Sequence, residues 1–246
     1  MTAYRRVAGA GALAAGLAVL LAGGAAKAQS LTVLPVNISM APGQLASTLT
    51  VINQGTAETS VQVRALAWSQ AADGKETLVP SDQVLASPPI VTIAAGATQV
   101  VRLVLRSAPQ GKEATYRILL DQIPPPAAPG MVRIALRLSI PVFAEPDTRA
   151  VSHVQYHVER DAGQAFLVAL NDGGRHDTVR DIALTTTDGS AVKTVADASP
   201  YILAGAAQRW RIVGPDRVPA TGGSLRLSAR ADSGAISEPV PVVAQP

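Results

Sequence analysis

Between residues 132 and 142 every second residue is aliphatic. Val132, Ile134, Leu136, Leu138, Ile140 and Val142 alternate with Arg133, Ala135, Arg137, Ser139 and Pro141. A period of two places one set on one face of a β-strand and the other set on the opposite face. The row is about twice the length of an ordinary strand of roughly 5–6 residues. Six aliphatic side chains in line need a core. The length leaves open whether one domain's own core takes them all.

Shorter segments of the same kind fill the rest of the chain. LTVLPVNISM, STLTVIN, SVQVRALAWSQ, PIVTIAAG, TQVVRLVLRS and ATYRILLDQI precede the row, punctuated by APG (41–43), QGTAE and ADGKE (72–76). VSHVQYHVER, AFLVALND, DIALTTTD, YILAGAAQRWRIV, SLRLSARA and EPVPVV follow it. Beyond the first 28 residues no window has a clean helical period, so the chain reads as all-β, with short strands and Gly/Pro/Asn/Asp turns in the manner of a β-sandwich. AEPDTRA (144–150) reads as a linker, and about 100 residues remain after it, the size of one immunoglobulin-like domain. The expected architecture is two tandem immunoglobulin-like β-sandwich domains, residues 29–145 and 146–246. QIPPPAAPGM (122–131) carries four prolines and predicts a stiff, exposed connection into the long row.

The first 28 residues read as a cleaved secretory signal peptide. Arg5 and Arg6 precede an Ala/Leu-rich apolar run, and Ala26-Lys27-Ala28 supplies the small-x-small pattern before Gln29. An uncleaved membrane anchor is the rival reading of that run, and the cleavage box and glycines argue against it. The chain has no cysteine, so lipid attachment through cysteine is excluded and the fold rests on core burial without disulfides. The leader holds three of the 21 basic residues and no acid, which leaves 18 of each sign. That balance gives no electrostatic reason to expect nucleic acid or a membrane surface as partner.

Catalytic patterns are missing. No G-x-S-x-G, phosphate-binding loop or paired catalytic carboxylate is present, and the expectation is a protein that is not an enzyme and uses no cofactor. His153 and His157 would be a metal pair on a helix. On an alternating strand they stand roughly 13 Å apart and read as two solvent-facing residues. His176, in NDGGRHD, falls in a turn-rich stretch with no nucleophile beside it. No metal site is expected.

LPVNISMAPGQLASTLTVINQG, VRALAWSQ, LASPPIVTIAAGATQVVRL, YRILLDQIPPP and IALRLSIPVFAEP occur in this order over residues 31–146. With them the first half resembles the periplasmic chaperones of pilus assembly, the PapD-like family. The second half resembles it more loosely, through NDGGRH. The SPPI, YRILL and IPVFAEP variants are most similar to the archaic branch, which serves spore-coat-U-like pilus subunits. The resemblance implies two immunoglobulin-like domains in a boomerang arrangement. It also implies a periplasmic chaperone that caps subunits by donor-strand complementation and hands them to an outer-membrane usher.

By position, Val132, Ile134 and Leu136 match the family's donor residues and Leu138 extends the row, while Ile140 and Val142 are assigned to the home core. Arg133 and Arg137 face the other way, toward solvent or a rim. The family's better-known branch holds the subunit's terminal carboxylate with two basic residues, and here those positions are Asn37 and Pro141. The resemblance to the archaic branch points instead to Arg117, in TYRILL, with Arg102, in VVRLVL, as second choice. Two rival readings remain: a secreted immunoglobulin-like structural or adhesive pilus protein, and a ligand-binding module.

Overall fold

In the computed structural model, residues 31–126, 130, 132, 134–195 and 199–244 are described. The expected leader, residues 1–28, lies outside them, as do Met131, Arg133 and part of the proline-rich connection. The described residues are strands and turns apart from one 3-10 turn at Pro215–Arg217. No helix among them is long and apolar enough to cross a membrane.

The first half contributes β1 (Leu31–Leu34), β2 (Ile38–Met40), β3 (Ala46–Asn53), β4 (Thr59–Gln70), β5 (Glu76–Pro80), β6 (Val84–Ser87), β7 (Ile90–Ile93), β8 (Thr98–Leu105), β9 (Ala114–Ile123) and β10 (Arg137–Ala144). One sheet runs β1-β3-β8-β6, and the facing sheet runs β2-β10-β9-β4-β5 with β7 also on β4. Alternate residues of both sheets meet in one core that includes Leu49, Val101, Leu103, Ile118, Leu120 and Val142. LTVLPVNISM is one apolar run in the sequence but two strands in space. Leu31–Leu34 pairs with β3 in the first sheet, and Ile38–Met40 pairs with β10 in the second. Pro35 breaks the ladder between them, as a residue without an N–H must.

The second half contributes β11 (Val154–Asp161), β12 (Gln164–Asn171), β13 (Asp177–Thr185), β14 (Ala191–Thr194), β15 (Tyr201–Ile202), β16 (Ala207–Val213), β17 (Ser224–Ala231) and β18 (Gly234–Ala244). Their order is β14-β16-β12-β11-β18-β17-β13-β15, and β14 also pairs with β13. The two layers of this sandwich are thus stitched at both edges around a second core that includes Val158, Leu167, Trp210 and Leu227. YILAGAAQRWRIV, expected as one strand, is divided by the turn at 203–206 into β15 and β16.

The two halves share a corner. Asn53 ends β3 and Asn171 ends β12, and both are buried. The Asn53 amide donates to the carbonyls of Ala57, Ile93 and Ala94. The Asn171 amide donates to those of Arg175, Ile202 and Leu203. Each side-chain oxygen accepts the N–H of the residue two further on, Gly55 and Gly173. At Gly173 no side chain fits, because a Cβ would stand 2.5 Å from the His153 nitrogen and 2.6 Å from the Val151 oxygen.

A third apolar cluster joins the halves: Trp68, Phe143, Leu203 and Ala206, with Tyr201 against it. Around it, Gln70 donates to the Tyr201 carbonyl and accepts from the Leu203 N–H. His176 Nδ1 lies 2.7 Å from Glu113 Oε2, which also accepts the His176 backbone N–H at 2.9 Å. The imidazole stacks flat on Phe143, 3.5 Å between centroids. The turn-rich setting of His176 in the sequence does not hint at this burial. The residue is placed by β13, which begins one position later.

Candidate functional site: a divided strand and a buried arginine

The alternating row is one strand by its pattern, but its ladder begins only at Arg137. Register explains why. Arg137 to Ala144 pair with Asp121 back to Ala114, and the Gln122 N–H donates to the Leu136 carbonyl at 2.9 Å. Upstream of Leu136 the described residues take no ladder partner on either side, and alternation without a neighbouring strand does not make a sheet. Exposure follows the same division. Val142 is 0% exposed and Ile140 6%, Leu138 and Leu136 are half-buried, and Ile134 and Val132 are 81% and 91% exposed. Leu138 still packs on the first core. Ile140 and Val142 belong to that core, as expected from the pattern. Val132 and Ile134 touch no core.

The outer edge of β10 is open over most of its length. Because Gln122 and Leu136 are a hydrogen-bonded pair, residues 138, 140 and 142 also bond to β9, and residues 137, 139 and 141 aim their backbone groups the other way. β2 takes up that edge only at Val142–Ala144. Arg137 and Ser139 therefore present N–H and C=O groups outward. Pro141, which lacks an N–H, sits where none is needed for the β9 ladder. Leu34 and Val36, at the crossing from β1 to β2, are 53% and 69% exposed nearby. An unpaired strand edge flanked by exposed aliphatic residues is a template for another strand.

Arg117 lies on β9 directly opposite Pro141. Its guanidinium carbon stands 3.7 Å above the Trp68 ring centroid and 5.3 Å from that of Tyr201. Nη2 is 3.9 Å from Glu76 Oε2, beyond hydrogen-bond distance. The side chain is 13% exposed. Burial pulls its pKa down from the usual arginine range, and Glu76 and Tyr201 oppose that pull; an arginine remains cationic throughout. Trp68 Nε1 and Glu76 Oε1, beside it, are buried without a hydrogen-bond partner among the described residues. The place holds a fixed cation and an N–H donor without a partner, together with the Glu76 carboxylate, which already balances part of the charge.

Arg102 is elsewhere. It is an exposed residue of β8, paired with Thr48 and Ser87 in the opposite sheet. Asn37 is exposed just ahead of β2. Arg137 faces away from the aliphatic row, as expected, and its partner is Asp121 rather than solvent alone. His157 is half-buried and bonded to Glu159, where the alternation suggested a solvent-facing residue. Among the described residues no group of three or more His, Asp or Glu side chains is arranged to hold a metal ion.

Residues 30–150 match the family described as "Pili and flagellar-assembly chaperone, PapD N-terminal domain". No curated protein matches the sequence. Several solved structures share the fold. One is a chain of the CsuC–CsuE chaperone–tip adhesion subunit pre-assembly complex from the archaic chaperone-usher Csu pili of Acinetobacter baumannii. It is 23% identical with a TM-score of 0.64, over 88% of this chain and 100% of that one. The YadV chaperone is 17% identical with a TM-score of 0.61, over 86% and 98%. A chain of the Salmonella enterica SafA pilin–SafB chaperone complex is 17% identical with a TM-score of 0.57, over 88% and 97%.

Proposed function

Through residues 30–150 the chain belongs to the PapD-like family of pilus-assembly chaperones, and from that premise we propose that it caps pilus subunits by lending them the first part of its long aliphatic row. The family is one of chaperones, not enzymes. Val132, Ile134 and Leu136 are the donor residues, with Leu138 shared between donor and home core. The observation that carries this reading is the exposure gradient along the alternating row, from 91% at Val132 to 0% at Val142. One unbroken period of two serves two cores. The open outer edge of β10 offers the backbone groups that strand addition needs.

Each aliphatic side chain fully buried contributes roughly 1.5–3 kcal/mol. Val132 and Ile134 therefore bring about 3–6 kcal/mol that the free protein does not use, before the cost of association. Position along the groove needs a second constraint, and Arg117 supplies it. It occupies the same sheet as the row and stands opposite Pro141, the position where the better-known branch of the family carries a lysine. Arg102, on the far sheet, cannot reach the same place, so Arg117 is the anchor for a subunit's terminal carboxylate.

The partners proposed are spore-coat-U-like subunits and an outer-membrane usher, in the periplasm. The leader at 1–28 is removed, and domains at 29–145 and 146–246 follow. The similarity to a chain from an archaic Csu complex supports the choice of branch. Co-expression with a spore-coat-U-like subunit that aggregates alone is the test. Wild type should yield a soluble one-to-one complex, and Ile134→Asp should yield folded chaperone without subunit. Equal recovery with Ile134→Asp refutes the donor assignment, and fibres formed by the pure protein favour a structural pilus protein.

A further inference from the structure

The aliphatic row changes character at Leu136 and Arg137, and two neighbouring side chains of β9 grip it there from opposite faces of the sheet. Asp121 lies on the face turned away from the first core. Its Oδ2 accepts from Arg64 Nε at 2.9 Å and Nη2 at 2.7 Å, and its Oδ1 accepts from Arg137 Nε. Asp121 is paired in register with Gln62 on β4 and Arg137 on β10. One carboxylate therefore ties three strands together at the last rung of the ladder.

Gln122 lies on the core face and is buried. Its amide Nε2 donates to Thr59 Oγ1 at 2.9 Å, and its Oε1 accepts the Leu136 N–H at 3.3 Å. With the Gln122 N–H on the Leu136 carbonyl, Leu136 is held at both backbone groups. Nothing in the apolar patterning calls for a polar pair at this rung.

We propose that Asp121 and Gln122 are positioning residues that set where the strand leaves its own sheet, and so the register in which Val132 and Ile134 are offered. This rests on the donor-strand reading above. The geometry explains why the hold is selective. A slip of one residue brings Leu136 or Leu138 opposite Asp121, and a slip of two brings Ala135 or Ser139. None of these can replace the Arg137 guanidinium, so each slipped state leaves a largely buried carboxylate with Arg64 alone and its Oδ1 without a charged partner. Downstream of the grip the strand is fixed to its own core. Upstream it is free to pair elsewhere.

Amide hydrogen exchange on the free, full chain tests the grip without a subunit. In Asp121→Asn the amides of Leu138 and Ile140, which bond to β9, should exchange about tenfold faster or more, while amides of β3 and β8 in the opposite sheet keep their rates. Asp121→Glu should recover part of the protection. Unchanged exchange at Leu138 and Ile140 overturns the proposal. So does an equal rise in every strand, which marks general destabilisation.

Capture of a co-expressed subunit then separates the two ideas. If Ile134→Asp abolishes capture and Asp121→Asn captures at the wild-type rate, the positioning role fails and the donor strand stands. If Ile134→Asp captures normally, the donor-strand reading fails, and the positioning role built on it fails too.

Discussion

The proposed division of one strand between two cores makes a paired prediction that neither half makes alone. Ile134 and Ile140 have the same chemistry and the same phase in the alternating row, three periods of two apart. Ile140 is 6% exposed inside the first core, and Ile134 is 81% exposed. Truncating a buried isoleucine to alanine removes transfer free energy and leaves a cavity, about 2–5 kcal/mol in total. At about 4–8 °C per kcal/mol for a domain near 100 residues, Ile140→Ala should lower the melting temperature of the free protein by roughly 10 °C or more. Ile134→Ala removes a side chain that is already in water, and an exposed substitution of this kind stays within about 0.5 kcal/mol, so its melting temperature should stay within a few degrees of wild type.

Binding to a subunit reverses the order of effects. If Ile134 fills a groove in the partner, losing it forfeits about 1.5–3 kcal/mol, roughly 10–150-fold in Kd. Differential scanning calorimetry of the free proteins and competition binding with a preformed complex measure the two arms. A melting temperature for Ile134→Ala that falls as far as that of Ile140→Ala would show that residue 134 belongs to the home core in solution. Unchanged affinity for Ile134→Ala would show that the exposed row does not enter the partner. Either result removes the reasoning.

Three further expectations follow from named contacts. Arg117→Ala should weaken subunit capture by roughly tenfold or more, the value of a charge-assisted hydrogen bond of about 1.5–3 kcal/mol, and Arg102→Ala should leave it unchanged; the reverse ranking in a pull-down would move the anchor to the other sheet. At Asp121, burial raises the carboxyl pKa, but hydrogen bonds from Arg137 and Arg64 outweigh it and hold the group below the usual aspartate range. Its contribution to stability is then complete above that range and lost as pH falls through the folded value, so urea midpoints between pH 2 and 6 should drop less steeply in Asp121→Asn, and parallel curves would contradict the shift. His176→Ala removes the ring contact to the Glu113 carboxylate, which is 1% exposed and keeps only the backbone N–H of residue 176, and removes the stack on Phe143, so chemical denaturation should show a loss of about 1–3 kcal/mol; a loss below about 0.5 kcal/mol would make the junction between the halves incidental.

The features legible in the sequence are those that depend on local periodicity. The period of two in β4, β8, β9 and β10 identifies the strands and their inner faces, because one side chain in two must meet the core. Family resemblance points to Arg117, but the neighbours that bury it, Trp68, Glu76 and Tyr201, come from separate strands that no local pattern links. Less legible were features that depend on which strands are neighbours. Nothing local in MVRIALRLSIPVF shows that β9 stops supporting the strand at Leu136. Pairing of Leu31–Leu34 and Ile38–Met40 with different sheets was equally hidden, although Pro35 marks the break. ETLVP, VLAS and AVKT form β5, β6 and β14 but are too short to show a period. The twin corners were visible as Asn-x-Gly at 53–55 and 171–173. Their meaning rests on carbonyls some thirty to forty residues away, beyond any local pattern.

The way the row is divided also bears on why a donor strand should be part of the chaperone's own sheet. A flexible peptide with the same four aliphatics could fill a groove, but its register would have to be found at each encounter, and ordering it would cost about 1–2 kcal/mol per residue in backbone entropy. Here Ile140 and Val142 are already locked in the first core, Asp121 and Gln122 hold Arg137 and Leu136, and the period of two would carry that phase outward to Ile134 and Val132 once they join a partner's sheet. Since a shift of one residue would turn every donor side chain away from a groove, a phase fixed at one end fixes the face at the other. Arg117, one rung from Ile140 in the ladder, would tie a partner's charged end to the same frame if it is the anchor proposed above. Exposure of two large aliphatic residues in the free protein is the cost of this arrangement. Within the described part of the row it is confined to Val132 and Ile134, while Leu136 and Leu138 remain half-covered at home.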